Sequence, residues 1–494
     1  MALTKVKEGV RTLGTGEVTT ANMATDPTNA SNLSSGSVPL AQLGNVDTSG
    51  LEDDIAILGF KVAANGSLAK YDLVDQTIDD FQDASGVDAS ASTNEVRDAT
   101  GKYYSGTVAG TVNGYTSSGT HTGVRTGNAE VLVVGGGGGG GGSNTSNGAS
   151  GGSGGGGIVY HATYSIVADV VYDFTVGAGG DGASGTGDPN PGGNSSWNDN
   201  DEGSASKMTA IGGGGGGQNG SGGGGQNGGS GGGGGKDASG YGTSTQGDSG
   251  GGTGYGNVGG AGGSGSGGGG GGADAAGTAG SGSTAGAGGA GKQFTSFGAY
   301  GTDASNSTAP ASGKGYFGGG AGGGAIAAGT GGAAGVGGGG TGQNTAGSGA
   351  EDGIDGTGGG GAGTYEATNS GYGGDGFVGI AYADLYNDMT LVSTSTTAEA
   401  VPTKGDIVFT IDNNIGTATI NTDVKAYVSR DNGTTYTQFT LTDEGETGGH
   451  SILTAHDLDI SAQPSGTSMR YKIETLNQSA SKATFIQAVS LGWS

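Results

Sequence analysis

The stretch VLVVGGGGGGGG, residues 131–142, decides how this chain is read. Val131-Leu132-Val133-Val134 reads as a buried strand, and it runs without a break into eight glycines, Gly135 to Gly142. Glycine runs then recur at Gly212–Gly217, Gly222–Gly225, Gly231–Gly235, Gly267–Gly272, Gly337–Gly340 and Gly358–Gly361. Residues 177–376 hold 85 glycines and only 8 Leu, Ile, Val or Phe, so a conventional hydrophobic core is excluded there. A flexible Gly/Ser linker is one reading of such a composition. Runs of near-constant length, low charge and single aromatics between the runs count against it. The alternative is a lattice of left-handed three-fold helices, the polyproline II geometry populated by glycine, in which a run of six spans about 19 Å. Such a helix has no internal hydrogen bonds. Its amides and carbonyls point sideways, and without Cβ atoms its neighbours approach closely enough to pair them. Opposing this is the large conformational entropy that glycine loses on ordering.

Outward from this region the pattern changes on both sides. Residues 1–50 are polar and read as extended, ordered against a partner. Leu51, Ile55, Leu58 and Val62, then Tyr71, Val74, Ile78 and Phe81, follow 3–4 residue spacings that predict a short helical segment over 51–100, either a pair of amphipathic helices packed on neighbouring protein or a symmetric oligomerisation bundle. Residues 101–130 read as a connector and 131–386 as the glycine-rich domain, with strands at Ile158 to Tyr160, Tyr172 to Val176 and Phe377 to Tyr382. Residues 387–494 carry the short alternating strands of a β-sandwich, with Asp431-Asn432-Gly433 as a hairpin turn. The expected fold class is therefore mainly β, with a polyglycine-II-like domain, an N-proximal helical segment and a C-terminal β-sandwich.

Composition narrows the function. The 494 residues include 125 Gly, no Cys and 7 Pro, which excludes disulfides, thiolate metal sites and collagen. With 18 Lys and Arg against 45 Asp and Glu, the net charge is −27. So acidic a chain repels nucleic acid and anionic membranes, and no nucleic-acid partner or membrane insertion is expected. Nothing approaches 18 apolar residues in succession. The amino terminus, MALTKVKEGVRTLGTGEVTT, has no apolar run of secretory type. An extracellular-looking composition without an export signal suits a virion component assembled in the host cytoplasm, or an adhesin exported by a dedicated machine.

At this point the residues carry a family resemblance. VLVVGGGGGGGG at 131–142, YDFTVGAGG at 172–180, GGNSSW at 192–197 and GGDGFVGIAY at 373–382 resemble the glycine-rich domain of phage tail-fibre proteins. LEDDIAILGFKVAANGSLAKYDLVDQTIDDFQDASG at 51–86 is similar to an amino-proximal module of marine phage fibres. AYVSRDNGTTYTQFTLTDEG at 426–445 and SAQPSGTSMRYKIETLN at 461–477 resemble a carboxy-terminal β module of the same kind of fibre. The resemblance implies a fibre or receptor-binding component of a tailed bacteriophage, commonly trimeric. It would attach to other tail or baseplate proteins through its N-terminus and contact a host surface glycan or outer-membrane protein. A head fibre or decoration protein without receptor contact, and a bacterial surface adhesin, remain alternatives. Glycine-rich tip adhesins of T-even-type phages are similar in composition, but here a β domain follows the glycine region.

No catalytic constellation emerges, and no cofactor is expected. Gly151-Gly152-Ser153-Gly154-Gly155 fits G-x-S-x-G only as polyglycine would by chance, without a strand-to-helix setting. His450 and His456 read as flanking a β turn, and Asp199, Asp201 and Glu202 as a solvated acidic turn. Ser429, Asp431, Gly433 and Thr435 fit an Asp-box hairpin, with Tyr436 where Trp is usual. The better candidates are aromatics set among glycines, because Tyr and Trp offer large contact area at little entropic cost. Trp197, Tyr241, Tyr255, Phe294, Phe297, Tyr300 and Tyr365 are the receptor-contact candidates. Leu51, Ile55, Leu58, Tyr71, Val74, Ile78 and Phe81 are the oligomerisation candidates.

Overall fold

The computed structural model describes residues 75–143, 148–185, 187–200, 205–219, 223–308, 314–345, 349–366 and 369–494. These fall into two compact units, one of residues 108–385 and one built from 75–107 together with 386–494. Both are made of antiparallel sheets.

In the glycine-rich unit, one sheet orders its strands Thr253–Tyr255, Ile158–Ile166, Gly127–Val134, Phe377–Ala381 and Val112–Tyr115. A second orders Met208–Ala210, Ser195–Trp197, Val171–Thr175 and Gly119–Thr122. Val131 and Val133 pack with Tyr172, Phe174, Trp197 and Met208 of the second sheet. Leu132 and Val134 point the other way, into a core with Phe294, Phe297, Phe317 and Phe377. Successive strand residues face opposite sides, so covering both sides is what makes a continuous apolar run of four necessary. The connector read at 101–130 is thus part of the folded units. Its strands Val112–Tyr115 and Gly119–Thr122 belong to these two sheets.

The glycine runs continue these strands. Gly135 donates to the Gly157 carbonyl (2.9 Å), Gly138 to Gly154 (3.0 Å) and Gly141 to Gly151 (3.1 Å). Gly136 and Gly139 donate to Gly193 and Asn190 (3.0 Å each), and Gly137 and Gly140 to Gly374 and Gly371 (2.9 Å each). Every third residue therefore addresses the same antiparallel neighbour. The carbonyls of Gly136, Gly137 and Gly138 accept from Gly213, Gly180 and Gly361, which lie on three further segments. The run at 267–273 repeats the pattern, with Gly267, Gly270 and Ala273 donating to Gly324, Ala321 and Gly318.

Contacts this close leave no room for side chains. A Cβ on Gly136 would lie 2.1 Å from the Ala178 carbonyl oxygen, and one on Gly139 2.0 Å from that of Asp181. Where a side chain is admitted it serves the array. The Ser153, Ser195 and Ser370 hydroxyls donate to the Gly138, Val134 and Gly140 carbonyls at 2.6 Å each. Each amide bond contributes only about 0.5–1.5 kcal/mol net, so many must form together to offset the entropy of ordering glycine.

The second unit has a seven-stranded sheet in which Ala483–Trp493 lies between Lys404–Ile415 and Tyr103–Ser105, and also pairs with Asp75–Asp79. A five-stranded sheet centres on Ser468–Thr475, flanked by Met389–Val392 and Val424–Ser429. Ile407, Phe409, Val489 and Leu491 from the first share one core with Leu391, Val428, Tyr471 and Ile473 from the second. Asn432 (φ 60°) and Gly433 (φ 82°) form the expected hairpin turn, with Asp431 Oδ1 accepting from the Ser429 hydroxyl (2.7 Å) and the Thr435 amide (2.8 Å). His450 and His456 do not flank a turn. Both lie on the strand His450–Asp459, and the turn precedes them at Gly448 and Gly449, both at positive φ.

The helical segment predicted over 51–100 is corrected for its described part. Ile78 lies in the strand Asp75–Asp79, opposite Ser490, because pairing with Ala483–Trp493 gives this segment the tertiary support that a short isolated helix lacks. Phe81 breaks any helical continuation at φ 53°, where its amide donates to Asp79 Oδ1 (2.9 Å). Its ring is buried edge-on against Tyr104 (4.8 Å), so it serves the unit's own core and not an oligomer contact. Leu51, Ile55, Leu58, Tyr71 and Val74 lie outside the described residues.

Gly139→Ala should lower the unfolding midpoint strongly, by an amount corresponding to about 1–3 kcal/mol of overpacking. Gly247→Ala, where a Cβ meets nothing within 4 Å, should leave the midpoint unchanged or raise it slightly. Equal effects in calorimetry would contradict close backbone packing at Gly139. Burial in the second unit raises the Asp423 carboxyl. Lys482 Nζ (2.6 Å), the Thr419 amide (2.8 Å) and Asn477 Nδ2 (2.8 Å) outweigh that and hold it at about 2. A carboxyl depressed in the folded state stabilises above its unfolded value of about 4, and that stability is lost as pH falls toward 2. Thermal melts should show this loss between those pH values, and Asp423→Asn should flatten it.

Candidate functional site

The aromatics expected to face a receptor separate into two groups. Trp197, Phe294, Phe297 and Tyr365 are buried, which corrects their assignment to a surface. Trp197 stacks on Tyr172 (5.4 Å between centroids) and on Phe174 (6.2 Å). Phe294 and Phe297 fill the core behind Leu132 and Val134. In a unit so poor in aliphatic side chains, these rings are what can cover the sheet. Tyr255 and Tyr300 are half-buried against the same core. Lys292 Nζ lies 4.7 Å from the Tyr255 ring centroid, and Tyr300 Oη accepts from the Gly114 amide (3.0 Å). Tyr241 is 45% exposed and keeps its place as a surface candidate. Tyr372, at 53% exposure, is more open still and was not among the candidates. Its setting, a lone Tyr between glycines in Gly371-Tyr372-Gly373-Gly374, is the signal that marks it.

A concavity of about 590 Å³ in the glycine-rich unit lies on the strand Ile158–Ile166. His161, Thr163 and Tyr164 line it from that strand, with Tyr172, Asn198 and the turn Gly250-Gly251 around them. Tyr164 and Tyr172 form an edge-to-face pair (6.4 Å, 80°), and the His161 ring stands edge-on to Tyr164 (5.5 Å, 81°). Tyr164 Oη donates to the Ser206 carbonyl (3.1 Å) and accepts from Asn198 Nδ2 (3.0 Å). Tyr172 Oη accepts from the Val167 amide (2.9 Å). Burial raises the Tyr164 hydroxyl above its ordinary range, so it stays protonated. The floor is thus formed by the edges of two buried rings whose hydroxyls are engaged in hydrogen bonds.

His161 gives this floor a directional edge. The Thr163 amide donates to Nδ1 (3.1 Å), which places the proton of the neutral ring on Nε2. Gly250 (φ 58°) and Gly251 (φ 79°) turn tightly beside it, and a Cβ at Gly251 would come within 3.1 Å of Nε2. The glycine turn therefore leaves Nε2–H open toward the concavity. An aromatic floor with one donor at its rim suits binding of a ring-shaped or extended polar ligand.

The residues weighed for chemistry have structural roles. Ser153 is buried in the glycine array, its hydroxyl donating to the Gly138 and Gly361 carbonyls (2.6 and 2.9 Å). Asp199 accepts from the Thr175 hydroxyl (2.7 Å) and pairs with Lys207 (3.1 Å), while Asp201 and Glu202 lie outside the described residues. Among the described residues no group of three or more His, Cys, Asp or Glu could hold a metal ion. Among them, too, no helix is long and apolar enough to cross a membrane. No protein-family model and no curated protein matches this chain.

Proposed function

We propose that this chain is a structural fibre protein of a tailed bacteriophage that mediates host-surface recognition and attachment, and that it is not an enzyme. In this reading it is a virion component and a homotrimer. It docks on other tail or baseplate proteins through its N-terminus, with oligomer contacts in the segment before Asp75. The glycine array is of the polyglycine II type. Supporting that assignment is the return of every third amide of Gly135–Gly141 to one neighbouring segment, the register of a helix with three residues per turn.

The observation that carries the functional reading is the pairing of this array with an aromatic concavity. A chain held together by its own backbone tolerates a display surface of few, well-placed rings; Tyr241 and Tyr372 supply exposed ones, and half-buried His161 stands at the rim of the concavity. Aromatic faces and a ring N–H match the apolar faces and hydroxyls of a surface glycan.

The full-length chain, fluorescently labelled, should adsorb to bacteria that support growth of a particle carrying it. It should also compete with that particle for adsorption. His161→Ala combined with Tyr372→Ala should weaken adsorption about tenfold, equivalent to about 1.4 kcal/mol, with the unfolding midpoint unchanged. Absence of adsorption to every such host would favour a head-fibre or decoration role and sink the proposal.

A further inference from the structure

Residues 112–122 cross from one sheet of the glycine-rich unit to the other along their margins. Among the described residues, the edge strand Val112–Tyr115 pairs only with Phe377–Ala381, and the edge strand Gly119–Thr122 only with Val171–Thr175. Along the whole segment the His121 side chain alone is buried, at 5% exposure. Its other attachments sit at half-buried or exposed positions. The Tyr115 ring packs on Phe174 (4.5 Å between centroids), the Gly114 amide donates to Tyr300 Oη (3.0 Å), and the Ser118 hydroxyl accepts from the Val176 amide (2.9 Å).

His121 is gripped at both ring nitrogens. Tyr115 Oη lies 2.9 Å from Nδ1, and the oxygen of Tyr382, just beyond Phe377–Ala381, lies 2.9 Å from Nε2. The Val124 amide also donates to Tyr382 Oη. That leaves the Tyr382 proton for Nε2 and places the single proton of the neutral imidazole on Nδ1, toward Tyr115. Trp197 stands beside the ring (5.9 Å), and Tyr172 is its register partner on Val171–Thr175. The charge beside this cluster is a like one, the Arg125 guanidinium 5.2 Å from the Tyr382 ring centroid. Among the described residues no carboxylate offsets the burial, which holds the imidazole below its ordinary range.

We infer that residues 112–122 form a strap that acid releases, with His121 as its titratable anchor. A second proton on the ring turns an N–H toward Tyr382 Oη and takes away the acceptor of the Tyr382 proton. It also sets a buried cation among neutral rings, near Arg125 and without a counter-charge. Opening the strap lets the imidazole ionise in water, so proton binding favours the open form. A basic group depressed in the folded state stabilises above its unfolded value, about 6.5 for histidine, and that stability is lost as pH falls below it. The rest of the unit can stay closed, because edge strands with few buried side chains are the elements that open locally. Release uncovers the Phe174 and Trp197 rings that Tyr115 and His121 adjoin. The device depends neither on attachment to a host nor on the concavity at His161.

The test is hydrogen exchange read by mass spectrometry on the full-length chain, at about pH 7.5 and about pH 5, either side of the histidine range. After correction for the intrinsic rate, exchange of 112–122 should quicken at least about tenfold in acid, while that of Ile158–Ile166 should not follow. His121→Gln keeps a donor and an acceptor but does not titrate. In that variant the pH dependence should vanish, whether its strap is closed or already open. Should the variant not fold, the wild-type profile alone decides. Unchanged exchange of 112–122 in acid, equal acceleration of Ile158–Ile166, or a response retained in His121→Gln would overturn the assignment.

Discussion

The constraint on which the glycine-rich unit depends is the missing Cβ. Across the array, the position a Cβ would occupy lies about 2 Å from a carbonyl oxygen of another segment, as at Gly136, Gly137 and Gly139. That spacing lets one extended segment exchange hydrogen bonds with several others at once. A pleated strand is confined to two partners, because its amides and carbonyls lie in the plane of the sheet and its side chains occupy the space above and below. The array therefore replaces buried hydrocarbon with buried peptide. Its cohesion is directional, and it depends on nearly every amide finding its own carbonyl.

Such an arrangement would not assemble from isolated glycine runs, because each residue's loss of freedom rivals the gain from one amide bond. The sheets resolve this difficulty. Gly135 follows Val134 directly, Gly157 precedes Ile158 and Gly376 precedes Phe377, and those strands pair with one another. The runs leave the sheet already aligned and in register, so much of the ordering cost falls on strands stabilised by two apolar cores. The hydrophobic effect works at the base of the array and peptide hydrogen bonding works beyond it.

Much of this was legible in the amino-acid sequence, and the misreadings have physical causes. The apolar run at 131–134, the strand from Phe377 and the Asp431-Asn432-Gly433 turn are local signals that survive folding unchanged. Ile78 and Phe81 fit a helical spacing, but the strand that claims Asp75–Asp79 lies some four hundred residues later, where no local period records it. Trp197, Phe294 and Phe297 stand alone among small polar residues and so read as exposed. Their burial follows from scarcity, since few other side chains in the segment are large enough to cover the sheet. The concavity at His161 was hidden for another reason. Its walls come from the strand Ile158–Ile166, Asn198 and Gly250-Gly251, which only the paired backbone brings together.

The three-residue return of hydrogen bonds also bears on how such a chain can change over generations. Inserting one glycine within a run shifts every later residue by one step of the three-residue pattern and offers each amide to the wrong neighbour. Inserting three restores the pattern. A run therefore has a reading frame, imposed by packing and not by the genetic code. The polar segments between runs carry no such frame, since each new run takes its alignment from its neighbours. Length variation should accordingly be free in the connections and quantised in threes within the glycines.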